Sequence, residues 1–249
     1  MPRYFMHLAY RGEAYHGWQS QPNAVSVQQV LEEALSTIVR SDIRITGAGR
    51  TDAGVNARMM IAHFDMPYAI ESSSGFVRAL NSLVGRDIAV YSVKEVHDDA
   101  HARFDAISRT YHYYAYTAKS PFFYPLAWKA PENLDYESMN RAARHLLDTD
   151  DFTSFAKLHT DTKTNICHVT EAEWRRVADG GWVFVITADR FLRNMVRAVV
   201  GTLVDVGRGK INEQQFVEII KKRNRCAAGT SMPPQALYLW NITYPYYRI

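Results

Sequence analysis

The stretch SVQQVLEEALSTIVR, residues 26–40, carries a clear helix signal, and the fold can be worked out from it in both directions. Apolar residues recur along it at helical spacing, which is typical of a helix with one buried face. Ser26, followed by Gln29 three positions on, predicts a capping box at its start. The apolar face consists of Val27, Val30, Leu31, Ala34, Leu35, Ile38 and Val39.

Strand signals lie on either side of this helix. Residues 3–10 alternate and are rich in aromatics, which predicts a strand. Residues 42–49 predict a short strand that runs into a glycine-rich loop, and 58–66 a strand that leaves it. A helix over 74–84 and a strand over 87–96 complete a β-α-β-β-α-β order, typical of a ferredoxin-like unit. The predicted apolar face of that helix is Phe76, Val77, Leu80, Leu83 and Val84.

The second half of the chain predicts the same order, with one helix added. Asp135 and Asn212 are expected to cap two of its helices. The halves 1–105 and 106–249 therefore predict an α+β fold, in which two ferredoxin-like units form an extended, mainly antiparallel sheet with helices on one face. The predicted elements are strands 108–117, 165–177, 182–188 and 235–244, helices 135–147, 191–206 and 212–223, and a turn at 178–181.

Composition narrows the class of protein. The 249 residues are 47% hydrophobic, which is enough for a sizeable core. No run of about 18 apolar residues predicts a membrane span, and the N-terminus lacks the apolar region of a signal peptide. Cys167 and Cys226 lack metal-ligand spacing, which favours two reduced thiols in a cytoplasmic protein.

Positive charge is concentrated in one region, although the net charge is only +3. Both a solvated helical face and a polyanion-binding surface produce such a run. Between residues 189 and 225 the basic residues are Arg190, Arg193, Arg197, Arg208, Lys210, Lys221, Lys222, Arg223 and Arg225, against Asp189, Asp205, Glu213 and Glu218.

The glycine-rich loop GAGRTDAGVNA, residues 47–57, holds an arginine, Arg50, close to a carboxylate, Asp52. An aspartate in such a loop is often a cap or an Asx-turn residue. A phosphate-binding loop is a second interpretation, but the phosphate-binding glycine motifs are absent. In a third, Arg50 keeps Asp52 ionised as a nucleophile, and the glycines let a substrate approach.

Motifs along the whole chain resemble the TruA family of tRNA pseudouridine synthases. The loop motif GRTDAGVNA is the most specific of them, and the others occur in the order of the family. They are YRGEAYHGWQSQPNAVSVQQVLEEAL, SRTYHYYAY, DFTSFAK, FLRNMVRAVVGTLVDVG and PPQALYLWNITYP.

The resemblance implies a function and a set of partners. It implies an isomerase that converts uridine to pseudouridine at positions 38, 39 and 40 in the anticodon stem-loop of tRNAs. It further implies a cytoplasmic homodimer, with each tRNA spanning both subunits, and a reaction that needs no cofactor and no metal. Asp52 corresponds to the nucleophile of the family; attack on ribose C1′, attack on uracil C6 and a glycal intermediate all remain open.

Four further residues are candidates for the site. The resemblance implies that Arg50 fills the space left by the flipped nucleotide. It implies that Tyr111 stacks on the target uracil and takes part in catalysis. Arg197 corresponds to the arginine of the family's helix, and we expect it to pair with Asp52 and keep it ionised. Arg58, where the next strand begins, is a candidate for substrate binding.

Each of these assignments has a plainer alternative. Arg50 could be a surface arginine paired with Asp52, Tyr111 a core residue, and Arg197 an arginine that only reaches along its helix to solvent. The family usually has histidine where this chain has Asn56, and glutamine where it has Met60. Asn56 can still donate and accept hydrogen bonds near the loop, whereas Met60 loses the polar contacts of a glutamine. Two other functions fit the fold: a non-catalytic RNA-binding protein, and an RNA glycosylase that releases the base.

Overall fold

The computed structural model describes residues 1–158, 163–177 and 180–248 of the chain. It separates into two compact units. The first is Met1–Ile107 together with Leu239–Ile249, and the second is Ser108–Tyr238. Two residues of the predicted turn at 178–181, Ala178 and Asp179, lie outside the described residues.

The first unit has the β-α-β-β-α-β order that its sequence predicts. Strand β1 is the middle strand, antiparallel to both β3 and β4, and β2 pairs with β3. Residues 239–243 of the last strand, β9, follow β3 in the strand order. The elements are β1 Arg3–Tyr10, α1 Val27–Val39, β2 Thr46–Gly47, β3 Asn56–Asp65, α2 Ser73–Leu83, β4 Ile88–Val96 and β9 Leu237–Thr243.

The second unit is built around three antiparallel strands, with β8 between β5 and β7. The short strand β6 runs parallel to β5. The elements are β5 Ser108–Tyr116, β6 Trp128–Lys129, α3 Tyr136–Arg144, β7 Val169–Arg176, β8 Trp182–Ala188, α4 Met195–Gly207 and α5 Glu213–Lys222, with 3₁₀ turns at Thr153–Phe155, Arg225–Ala227 and Pro234–Ala236. The predicted α+β class is confirmed.

Some local predictions differ from the structure in detail. Ser26 caps α1 through the Gln29 backbone N–H, but the Gln29 side chain donates to Glu33 Oε1, so the predicted capping box is only half formed. The complete capping box occurs at Asn212, where only a cap was expected. Leu83, expected on the buried face of α2, is 48% exposed.

The strand predicted over 42–49 is also much shorter, because only Thr46–Gly47 pairs with β3. The peptide of Ile45 is used differently: its N–H donates to Oε1 of the buried Glu32 on α1. None of the helices in the described ranges is long and apolar enough to cross a membrane.

Candidate functional site

Asp52 lies half-buried in the loop that leads from β2 into β3. Its carbonyl accepts the Val55 N–H at 3.1 Å, which closes a tight turn in which Gly54 has a φ of +77°. Arg50, before the turn, and Arg58, on β3, are both exposed. The turn presents the Asp52 side chain from a short segment whose direction is fixed by its own backbone hydrogen bond.

Two buried polar residues, Thr51 and Asn56, anchor the chain on either side of Asp52. The Thr51 hydroxyl lies 2.8 Å from the Tyr10 hydroxyl, and the Thr51 carbonyl accepts the Trp18 N–H at 3.2 Å. Asn56 is 1% exposed, and its Oδ1 accepts the Gly12 N–H at 2.9 Å. Buried groups with satisfied hydrogen bonds hold their positions well, so the backbone around Asp52 is restrained from both sides.

Glycines let the loop carrying Asp52 pack tightly against the loop that follows β1. A Cβ at Gly47 would lie 2.5 Å from the Trp18 indole, and one at Gly17, whose φ is +90°, would lie 2.4 Å from the Thr51 carbonyl oxygen. Gly49 differs, because a Cβ there would meet nothing within 4 Å. The close approach at Gly47 is therefore made by the protein's own tryptophan, whereas Gly49 borders open space.

In the second unit, Tyr111 lies on β5 opposite Ile186 of β8. Its ring meets Phe191 edge to face, with centroids 4.9 Å apart, and the residue is 9% exposed. Tyr113, two residues on, is fully buried, and its hydroxyl donates to the Pro233 carbonyl at 3.2 Å. Burial raises the pKa of Tyr113, so it is a neutral hydrogen-bond donor in the core.

Arg197 lies half-buried on α4, a helix with eleven of its thirteen residues buried. Its Nε donates to the Met232 carbonyl oxygen at 2.6 Å, and its own carbonyl accepts the Met232 N–H at 3.1 Å. The guanidinium is therefore held by the protein backbone and does not simply extend along the helix to solvent. Its expected ion pair with Asp52 stays a prediction.

Several basic side chains between residues 189 and 225 serve the second unit itself. Lys210 pairs with Asp205 at 3.2 Å, and Arg223 pairs with Asp151 at 3.0 Å. Arg225 donates to the carbonyls of Ala228 and Gly229. The two ion pairs offset part of the positive charge, and the Arg225 bonds hold its guanidinium against the backbone, so the simple count of basic residues overstates the charge that this region offers to a polyanion.

Sequence reasoning did not find the groups that position the candidate side chains. Gly12 and Gly17 lie in the loop after β1, but nothing in the sequence predicts that they contact Asn56 and Thr51. The Met232 carbonyl carries no side-chain signal at all. As to metals, the described part of the chain contains no group of three or more His, Cys, Asp or Glu residues that could hold an ion.

Comparison with known proteins connects this geometry to one family. The family model for tRNA pseudouridine synthase matches residues 6–105 and 142–245. A tRNA pseudouridine synthase A of Bacteroides thetaiotaomicron is 56% identical over 247 residues, covering 98% of this chain and 91% of the relative. The one from Porphyromonas gingivalis is also 56% identical, covering 98% of both chains. That of Bacillus subtilis is 39% identical, covering 95% of this chain and 97% of its own.

Proposed function

The chain belongs to the tRNA pseudouridine synthase family, and from this premise we propose that it acts on uridines 38, 39 and 40 in the anticodon stem-loop of tRNAs. It is an isomerase that converts uridine in tRNA to pseudouridine. The choice of positions rests on the motif series that runs through the chain, from the GRTDAGVNA loop to the closing segment PPQALYLWNITYP. Because its substrate is tRNA, we place the enzyme in the cytoplasm.

The reaction moves the attachment point of the base without changing its composition. The C1′–N1 bond breaks, a C1′–C5 bond forms, the hydrogen at C5 leaves to solvent, and N1 gains a proton. Nothing is oxidised or reduced, and product and substrate are isomers. The groups required are an anion, cations and a surface for the base, so we propose that the enzyme uses no cofactor and no metal.

Asp52 is the proposed nucleophile, acting at ribose C1′ or at uracil C6. The observation that carries this assignment is the restraint of the loop around Asp52. Buried Thr51 precedes it and buried Asn56 follows the turn, each tied by hydrogen bonds to the segment 10–18. A carboxylate in a fixed position can meet developing positive charge on the sugar without first reorganising.

The other candidates fall into two roles. Arg50 and Arg58 are exposed cations beside the Asp52 turn, where both can contact phosphates. Arg50 is also the proposed residue that fills the place of an extruded nucleotide. Tyr111, with its ring steadied by Phe191, is the proposed stacking surface for the uracil and takes part in catalysis. Arg197 is the proposed cation that keeps Asp52 ionised.

We further propose a homodimer in which each tRNA contacts both subunits. The proposal rests on the resemblance to the family. Sedimentation of the protein with and without tRNA measures its oligomeric state. A monomer that binds and modifies one tRNA with full activity would contradict the proposal.

Tritium release tests the catalytic assignment. A tRNA labelled with tritium at uracil C5 must lose the label to water as pseudouridine forms. Asp52→Asn keeps the size of the side chain and removes the charge, so release should fall by at least about 1,000-fold. The affinity for tRNA should change less than about threefold, because most of the binding energy comes from phosphate contacts. Exposed Asp98 provides the matched control, Asp98→Asn, which should behave as wild type.

Several readouts separate the proposal from the alternative functions. Normal tritium release by Asp52→Asn would remove Asp52 as the nucleophile, and free uracil in place of pseudouridine would indicate a glycosylase. Tight tRNA binding without any product would indicate a binding protein.

Three transcripts that each carry uridine at only one of positions 38, 39 and 40 test the proposed sites of modification. Modification at other positions would refute this choice of sites.

A further inference from the structure

A short segment, residues 228–232, lies against helix α4 and supplies the carbonyl that holds Arg197. Its contact with the helix is close, because a Cβ at Gly201 of α4 would lie 1.8 Å from the Thr230 carbonyl oxygen. The Gly229 N–H donates to the Thr202 hydroxyl at 2.9 Å. At the other end, Met232 exchanges two hydrogen bonds with Arg197, through its N–H and its carbonyl. The segment is thus bound to α4 at both ends.

Between these ends, the hydroxyl of Ser231 accepts two side-chain hydrogen bonds. Asn194 Nδ2 donates to Ser231 Oγ at 2.6 Å, and Arg225 Nη2 donates to the same atom at 2.9 Å. Arg225 also donates to the carbonyls of Ala228 and Gly229, at 3.4 and 3.2 Å. One guanidinium therefore holds three points of the segment, and a bond from a charged donor is stronger than a neutral one.

Asn194 adopts an unusual backbone conformation to make its contact. It is the N-cap of α4 with a φ of +66°, and its side chain forms no capping hydrogen bond with the helix. Asparagine is one of the few residues other than glycine that visits the left-handed region readily. At an N-cap, its side chain would normally accept a hydrogen bond from the first turn of the helix. Here the side chain is instead directed to Ser231.

We propose that Ser231, held by Asn194 and Arg225, is a positioning residue that sets the direction of the Arg197 guanidinium through the Met232 carbonyl. The hydroxyl lies one residue before that carbonyl, so loss of its two hydrogen bonds loosens the backbone that leads into the Met232 carbonyl, the acceptor of Arg197 Nε. This inference rests on the proposed catalytic role of Arg197. It assigns to the Asn194–Ser231–Arg225 cluster a role in turnover as well as in folding.

The first test compares the effect of a substitution on kcat with its effect on KM for tRNA, measured with the whole chain. Ser231→Ala should lower kcat about 10-fold, since misplacing a catalytic group by a fraction of an ångström is enough for such a loss, and KM for tRNA should stay within about twofold. Ser231→Thr keeps the hydroxyl and should restore most of kcat. The adjacent, exposed Thr230 gives the control Thr230→Ala, which should match wild type. An unchanged kcat in Ser231→Ala would overturn the inference.

A double-mutant cycle shows whether Ser231 acts through Arg197. Where Arg197→Ala has already removed the guanidinium, adding Ser231→Ala should lower kcat no further. A further 10-fold loss in the double variant would mean that Ser231 acts independently, and would also overturn the inference. If Arg197→Ala alone turned over normally, the proposed role of Arg197 would fail, and this inference with it. If Arg197→Ala is impaired and Ser231→Ala is not, only this inference fails.

Discussion

Acidification should destabilise the first unit through His63, a buried histidine on β3. Its Nδ1 accepts the Ala102 N–H at 3.1 Å, so the ring is neutral, with its hydrogen on Nε2. Burial is the main cause that lowers the pKa of His63 from 6.5 to about 4, and nearby His101 and Arg3 lower it further. Asp65 and Asp105 act in the opposite direction and are outweighed.

The sign follows from proton uptake. Between pH 6.5 and 4 the unfolded chain binds a proton at this histidine and the folded chain does not, so the free energy of unfolding falls as the pH falls. The contribution of His63 is fully present above pH 6.5 and is lost as the pH decreases towards 4. At pH 5 an unfolded pKa of 6.5 and a folded pKa of about 4 give a loss of about 2 kcal/mol relative to pH 7.5.

Urea unfolding at pH 7.5 and pH 5.0, on wild type and His63→Asn, measures this contribution. Asparagine places an oxygen acceptor near the position of Nδ1 and does not titrate. The pH-dependent loss of stability should therefore be smaller in the variant by about 2 kcal/mol. The exposed His16 gives the control His16→Asn, which should keep the wild-type dependence. Equal losses in wild type and His63→Asn would refute the reasoning.

Four further substitutions test the loop, the strand and the charged surface. Gly47→Ala should destabilise the protein by about 1–3 kcal/mol, because its Cβ would overlap a buried indole. Gly49→Ala, in open space, should stay within about 0.5 kcal/mol in thermal unfolding; similar losses for both would contradict the described packing. Met60→Gln should lower the free energy of unfolding, measured in urea, by about 1–3 kcal/mol. The residue is 0% exposed, so a buried amide there would lose its hydrogen bonds to water. An unchanged stability would mean that the site offers the amide a hydrogen-bond partner. Arg58→Ala should weaken tRNA binding and reduce the slope of log affinity against log salt by about 1, as expected for one lost phosphate contact. An unchanged slope would remove Arg58 from the binding site.

The sequence alone determined the elements whose signals are local. Strand β1 and strand β8 begin and end at the predicted residues, Arg3–Tyr10 from its alternation and Trp182–Ala188 from its short apolar run. Helix α4 is buried on most sides, as its run of aliphatic residues indicates. These patterns depend on the period of strand and helix, which a single segment carries by itself. The motif series likewise indicated the family without any coordinates.

Long-range contacts decided what the local patterns left open. The strand predicted over 42–49 is shortened to Thr46–Gly47, and the Ile45 N–H donates instead to buried Glu32, 13 residues earlier in the sequence. The conformation of the Asp52 turn depends on buried partners of Thr51 and Asn56 that lie some 40 residues away in the sequence. The direction of Arg197 depends on a backbone carbonyl, 35 residues further on.

The physical reason is that a carbonyl or a peptide N–H has the same composition at every residue. Its importance arises only when folding brings a donor or an acceptor to it, and nothing in the local sequence marks the place. The sequence therefore indicated the candidate side chains, Asp52 and Arg197 among them, whose catalytic roles stay predictions. Only the tertiary structure decided which backbone groups hold those side chains in place.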